Sequence, residues 1–369
     1  MKAARYYGPG DIRVEDIAEP VARSGQVKVK IAWNGICGTD LHAYLSPLPI
    51  YANSIPNELT GETAPVTLGH EFSGTIVALG PGVDESKWSL GTNVVVEPII
   101  SCMKVDTCHA CASGSRNICP KCSFIGISGW GGGLSEFIAV DTKYLHVLPQ
   151  GIPLEIGACI EPLAVAWYAV KRSGFSSGKS VLVLGAGPIG LFILKILRSF
   201  DPSNTIIVSE PTVLRRQQAL KNGATLSLDP VSVDVPEAVT KATGGIGVDI
   251  AFDAAGIQAS LDAALHSVRP RGTVVNVAVW EKFATVDVNL FWTKEIFLTG
   301  TSLYDRVHPE LLEAVKAGKI TGLEDLITRK IALEDVVEKG FKALLRNKDA
   351  HIKILVHPSG NEGNTMSKL

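Results

Sequence analysis

The stretch Val181-Leu182-Val183-Leu184-Gly185-Ala186-Gly187-Pro188-Ile189-Gly190 decides how the rest of the chain is read. Four consecutive apolar residues run into glycines spaced G-x-G-x-x-G, and an apolar segment, residues 189–197, follows at once. A buried strand, a tight turn and a helix start in that order form the first half of a βαβ unit. Gly185 permits the turn, Gly187 lets backbone approach a pyrophosphate, and Gly190 allows the helix to pack closely on the strand. The helix start at Pro188 and Ile189 adds unpaired amides and a partial positive charge, which suit phosphate. A glycine turn of this kind also occurs for purely structural reasons, so a second feature has to decide.

That feature is Glu210, which closes the next strand and lies 20 residues after Gly190. An acid there accepts hydrogen bonds from the adenosine ribose hydroxyls and selects NAD over NADP, because a 2′-phosphate would meet a carboxylate. Arg215, with Arg216 beside it, reads either as a cofactor contact or as a solvated helix residue. The alternation continues outward, with strands at 180–184, 205–208, 248–252, 273–277 and 296–298 and helices at 189–198 and 214–221. Strand alternating with helix means a parallel sheet. Upstream, short strands at 26–32, 72–79 and 93–96 sit between Gly, Pro, Asn and Asp, as in a compact antiparallel barrel or sandwich. Downstream come helical patterns at 309–317 and 334–346 and a last strand at 351–356. The expected organisation is α/β: a β-rich part over 1–153 with a cysteine lobe at about 98–123, a nucleotide-binding part over 154–300, and a C-terminal part over 301–369 ending in a flexible tail, 358–369.

With 369 residues and 46% hydrophobic content, the chain can bury a large core. A net charge of -2 offers no basic field to nucleic acid or to an anionic membrane, and neither partner is expected. The longest apolar runs fall short of a membrane span, and residues 1–10 lack the apolar segment of a secretory signal. Seven cysteines, four of them between Cys102 and Cys119, then favour metal ligation over disulfides. The terminal Ser367-Lys368-Leu369 spells a peroxisomal address, which implies an import receptor as partner and a peroxisomal location, with the cytoplasm as the alternative.

Two metal sites are expected. One draws on Cys37-Gly-Thr39-Asp40-Leu-His42, on His70-Glu71 and on Glu161. A thiolate, an imidazole and carboxylates suit a catalytic zinc that keeps one position open. Singly, Cys37 reads as a small core residue, His70 as a satisfied polar group and Glu161 as a helix N-terminal acid; together they indicate a site. The other site is Cys102-x5-Cys108-x2-Cys111-x7-Cys119, four thiols in one loop, as in a closed structural zinc site. Cys122, paired C-x2-C with Cys119, is the alternative fourth ligand.

These motifs, with 59–74, Phe124 to Gly133 and Glu161-Pro-Leu-Ala-Val165, resemble the zinc-containing medium-chain alcohol dehydrogenases, in the butanediol and sorbitol dehydrogenase branch. The resemblance spans nearly the whole chain. It implies a GroES-like catalytic domain formed by both chain ends around a Rossmann domain. It also implies two zinc ions per chain, NAD, and an alcohol or ketone substrate. Carried over, Cys37 and His70 match zinc ligands, while Glu71 and Glu161 match acids that bind the metal directly, through water or alternately. Thr39 matches the hydroxyl that bonds the substrate oxygen, His42 the far end of a proton relay, and Asp40 the acid that orients the histidine. Most of the family separates the first two lobe cysteines by two residues where this chain has five; the butanediol branch shares the longer gap, which favours Cys102. The implied reaction is hydride transfer between a secondary alcohol or vicinal diol, of 2,3-butanediol and acetoin type, and NAD, in a dimer or tetramer. The alternatives are a sorbitol or xylitol dehydrogenase and, in another class, a non-catalytic NAD-binding protein, which would have shed Thr39 or a zinc ligand.

Overall fold

The computed structural model describes residues 1–46 and 50–359, so the expected address at Ser367 to Leu369 and nearly all of the expected tail lie outside the described residues. The chain divides into two units: Met1–Glu161, His308–Lys316 and Leu323–Leu369 form one, and Pro162–Val307 with Ala317–Gly322 form the other. The division falls after residue 161 instead of 153, and after 307 instead of 300. Local packing explains the first difference. Ser73 Oγ donates to Leu154 O, and Gly157 lies against the Ser73 side chain where any β-carbon would collide, so helix Leu154–Gly157 belongs with strand Glu71–Leu79.

The second unit is built on six parallel strands in the order Leu226–Leu228, Ile206–Ser209, Val181–Leu184, Val248–Asp253, Val268–Asn276, Phe297–Gly300. Val181–Leu184 is apolar along its whole length and Ile206–Ser209 up to its last residue, because helices cover both faces of such a sheet. Leu182, Ile207, Ala251 and Val274 share one core with Leu261 and Leu265 of helix Gln258–Ser267. The chain leaves Val181–Leu184 toward one edge and returns on its other side at Val248–Asp253, a reversal of strand order that opens a crevice at the strand ends. Helices Val235–Ala242 and Gln258–Ser267 were not expected. The first carried a legible start, since Asp234 caps it by accepting from Glu237 N at 2.8 Å and a proline follows within the first turn.

The first unit centres on a seven-stranded, mostly antiparallel sheet around Gln26–Gly35, which pairs with Glu71–Leu79, Phe137–Asp141 and Lys353–His357. Its core includes Val27, Val29, Ile31, Phe72, Ile76, Val94 and Val96. The C-terminal strand enters with Leu355 opposite Gly35, and Gly35 faces Glu71 on the other side, so the two ends of the chain meet beside Glu71. The helix expected over 334–346 is irregular. It opens as a 3-10 turn, Leu333–Asp335, widens to a π turn, Val336–Phe341, and closes as α-helix Lys342–Arg346. Gly340, inside the wide turn, is where Ile36 packs so closely that a β-carbon would clash. Among the described residues no helix is long and apolar enough to cross a membrane.

Candidate functional site

Cys37 lies two residues past the end of strand Gln26–Gly35, immediately before helix Gly38–Leu45. The capping is done by Asp40, whose Oδ2 accepts the Cys37 amide at 2.9 Å. Its other oxygen, Oδ1, lies 3.4 Å from His70 Nδ1, and neither atom has a hydrogen bond. One fully buried carboxylate thus anchors the helix start and faces the imidazole ring. Thr39 Oγ1 lies 3.5 Å from Cys37 Sγ, and His42 follows Thr39 by three residues on the same helix. His70 reaches the site because Gly69, at φ 99, turns the chain into strand Glu71–Leu79.

Cys37, His70 and Glu71 each place a ligand atom within 4.8 Å of the others. Glu161 is buried in the first turn of helix Ile160–Arg172 and is not part of that cluster. Burial works against charge on His70, yet Asp40 and Cys37 more than offset it and hold its pKa well above the ordinary value. A pocket that attracts positive charge, lined by a thiol, an imidazole and a carboxylate, fits a borderline-soft divalent cation such as zinc.

The cysteine lobe supplies a second such pocket. Sγ–Sγ distances are 3.6 Å for Cys102–Cys111, 3.9 Å for Cys108–Cys119 and 3.6 Å for Cys119–Cys102. Four thiolates at about 2.3 Å from one zinc would stand about 3.8 Å apart, so the spacing fits a tetrahedral site. Cys122 lies outside this group of four. A third group, Glu97, His146 and His308, is close enough to bind a cation but is arranged otherwise. The two imidazoles stack at 4.7 Å with planes 10° apart, which prevents both from aiming a lone pair at one ion. Arg116 and His146 already occupy the Glu97 oxygens at 2.8 and 2.9 Å.

In the second unit, Gly190 packs so tightly on Gly185 O that no β-carbon fits, while a β-carbon at Gly187 would meet open space. Helix Pro188–Phe200 begins there without a side-chain cap. Glu210 is buried at the end of the adjacent strand, its Oε2 accepting from Ala186 N at 2.7 Å and its Oε1 from Thr212 N at 2.9 Å. Arg216 turns back to Glu210 O and Asp229, and Arg215 lies on the same helix, Val213–Lys221.

Two residues near the first site were missed in the sequence. Tyr51 donates from Oη to Thr39 O at 2.7 Å and is buried. Nothing in its spacing links it to Thr39. Lys353 donates to both Glu71 oxygens, at 2.8 and 2.6 Å. Its signal was faint: a lysine leading directly into the apolar run Ile354, Leu355, Val356 of strand Lys353–His357. Trp33, Tyr44 and Trp130 pack against His357, Phe341 and Tyr144.

Residues 23–150 match the model of the alcohol dehydrogenase GroES-like domain, and residues 188–317 that of the zinc-binding dehydrogenases. The chain is 43% identical over 362 residues to the (R,R)-butanediol dehydrogenase of Neisseria gonorrhoeae, covering 97% of this chain and 100% of that one. It is similar to the crystal structure of 2R,3R-butanediol dehydrogenase from Bacillus subtilis, with a TM-score of 0.90, 39% identity, and 97% and 99% of the two chains covered. The sorbitol dehydrogenase of Bacillus subtilis is 31% identical over 360 residues, 97% of this chain and 98% of its own. Two site geometries that suit zinc and a glycine turn that suits a nucleotide thus coincide with full-length similarity, and the chain belongs to the zinc-binding medium-chain alcohol dehydrogenase family.

Proposed function

We propose that this dehydrogenase moves hydride between a short secondary alcohol or vicinal diol, of the 2,3-butanediol and acetoin type, and NAD. The observation that carries the reading is the cluster of Cys37, His70 and Glu71 beside Thr39 and Asp40 on one helix start. Cys37 and His70 would hold a catalytic zinc with an acid as third ligand, and Cys102, Cys108, Cys111 and Cys119 a structural one, making two ions per chain. The catalytic ion supplies Lewis-acid polarisation of a hydroxyl or carbonyl oxygen. Asp40 fixes the His70 ring. The Thr39 hydroxyl holds the substrate oxygen and passes its proton toward His42, which releases it to solvent. Glu210 and the turn from Gly185 to Gly190 favour NAD, since the buried carboxylate disfavours a 2′-phosphate.

The relatives named butanediol dehydrogenase favour a short diol, and the more distant sorbitol dehydrogenase favours a polyol as the second reading. Physical chemistry separates them sharply. A polyol site hydrogen-bonds several hydroxyls and rejects analogues that lack them by about 10⁴-fold or more, whereas an apolar pocket discriminates by only about 1–3 kcal/mol per methyl. Steady-state kcat/KM for 2,3-butanediol stereoisomers, acetoin, sorbitol, xylitol and ethanol, each with NAD and NADP, is the test. The diol with NAD should lead; sorbitol or xylitol ahead of both butanediol isomers would sink the diol assignment, and NADP ahead would sink the role of Glu210.

The terminal Ser367-Lys368-Leu369 supports a peroxisomal location through an import receptor. An N-terminally tagged copy should be peroxisomal and become cytosolic when Leu369 is removed; a cytosolic signal from the intact terminus would refute the address.

A further inference from the structure

Helix Gly38–Leu45, which carries Thr39 and His42, is only eight residues long, and a helix of that length is marginal without outside support. Two phenols give it some. Tyr6 Oη donates to Ala43 O at 3.0 Å toward the far end, and Tyr51 Oη donates to Thr39 O at 2.7 Å in the first turn. Tyr51 is 3% exposed, and its one donor proton is used on that carbonyl. The backbone of Tyr51 is clamped on both sides. Ser128 Oγ donates to Ile50 O at 2.9 Å, Ala52 N donates to Ile127 O at 3.2 Å, and Thr60 Oγ1 donates to Ser128 O at 2.7 Å. The segment that makes this clamp also backs the metal-site imidazole, because Gly126 lies against Gly69 O, in the turn before His70, where no β-carbon would fit. Residues 126–128 therefore touch both the turn that delivers His70 and the loop that delivers the Tyr51 phenol.

We propose that Tyr51 is a positioning residue that registers the Thr39 hydroxyl against His70. The proposal rests on the reading of Thr39 as the group that holds the substrate oxygen and passes its proton on. Asp40 fixes the Cys37 amide and faces His70, but it does not hold Thr39 from outside the helix. Tyr51 does, from a frame shared with His70. Such register matters for a relay, since a misplacement of about 1 Å can cost about 10²-fold in rate. Tyr51 takes no part in the proton transfer itself: burial and the nearby Asp40 carboxylate push its phenol above the ordinary pKa, so it stays a donor to the carbonyl.

The experiment is steady-state oxidation, across pH, of whichever alcohol leads the substrate panel above, in the full-length zinc enzyme, together with hydrogen exchange of the amides in Gly38–Leu45. Tyr51→Phe, which removes one oxygen, should lower kcat severalfold at neutral pH and converge on the parent at high pH, where solvent base takes over from the relay. KM for NAD should not move, and amide exchange in the helix should speed up severalfold. Thr39→Val should be slower still at neutral pH. Tyr6→Phe removes a similar bond from the same helix, away from Thr39, and should keep the parent's pH profile. A Thr39→Val enzyme with the parent's profile would overturn the relay reading and this proposal with it. With Thr39→Val slow, the role of Tyr51 alone would be overturned by a Tyr51→Phe enzyme equal to the parent, slowed by one factor at every pH, or matched by Tyr6→Phe.

Discussion

Asp40 shows how much one residue can settle. Its two oxygens face different groups: one caps helix Gly38–Leu45 at the Cys37 amide, and the other stands 3.4 Å from His70 Nδ1. The helix start, the thiol and the imidazole are therefore positioned together, and Thr39 and His42 follow from the helix pitch. The spacing of Cys37, Thr39, Asp40 and His42 was readable in the sequence because all four lie within one turn and a half, where local geometry decides proximity. A relay through Thr39 and His42 makes a specific demand on pH. His42→Ala should lower kcat for alcohol oxidation at neutral pH by about tenfold or more, with partial recovery at high pH as solvent base takes over the lost proton acceptor. A pH-rate profile with the parent's shape and height would remove His42 from the relay. Lys353 and Tyr51 belong to the opposite case, since each meets its partner only through a long-range contact.

At the level of elements, the cysteine lobe behaves as a closed local unit. Only short helical turns, His109–Ala112 and Arg116–Ile118, lie between its thiols, and they present few apolar side chains to a core. A segment with so little to bury needs another source of order, and a metal bound by the four thiolates would supply it. A backbone hydrogen bond from Lys104 draws the Cys102 thiol below its ordinary pKa, while burial raises that of Cys111. Metal analysis should find about two zinc ions per chain, falling to about one in Cys102→Ser with a proteolytically labile lobe, and staying at two in Cys122→Ser. The reverse pattern would transfer the ligand role to Cys122. The elements that escaped the sequence did so for physical reasons. In 333–346 the apolar periodicity is helical, but Gly340 must admit Ile36, and the helix is widened at that contact.

At the level of the whole molecule, the strand Phe297–Gly300 ends the parallel sheet with one edge unpaired among the described residues, and Phe297 and Leu298 are exposed there. Leu298 shares a recess of about 440 Å³ with Phe283, which is fully exposed. An apolar, open strand edge is a template for another strand. We propose that a second copy of the chain adds strand to strand at this edge, which would satisfy both its backbone groups and its apolar side chains. Phe297→Asp should shift the sedimentation coefficient toward that of a monomer at micromolar protein, with the fold retained by circular dichroism. A parent that sediments as a monomer would refute assembly, and an unchanged oligomer in Phe297→Asp would place the interface elsewhere.

Taken alone, the sequence was enough for whatever depends on neighbours along the chain. The glycine turn at 185–190, the acid at 210, the cysteine spacing from 102 to 119 and the run from Cys37 to His42 are each encoded within one or two elements, where bond geometry and periodicity leave few choices. Tertiary structure alone decided which distant residues share a site. The C-terminal strand had to insert beside Gln26–Gly35 before Lys353 could reach Glu71, a pairing across 282 residues. It also separated Cys102 from Cys122 as a member of the four-thiol cluster and moved the unit boundary to residue 161. Such pairings follow from strand register and core packing, which are set by the whole set of buried side chains and by no single stretch of sequence.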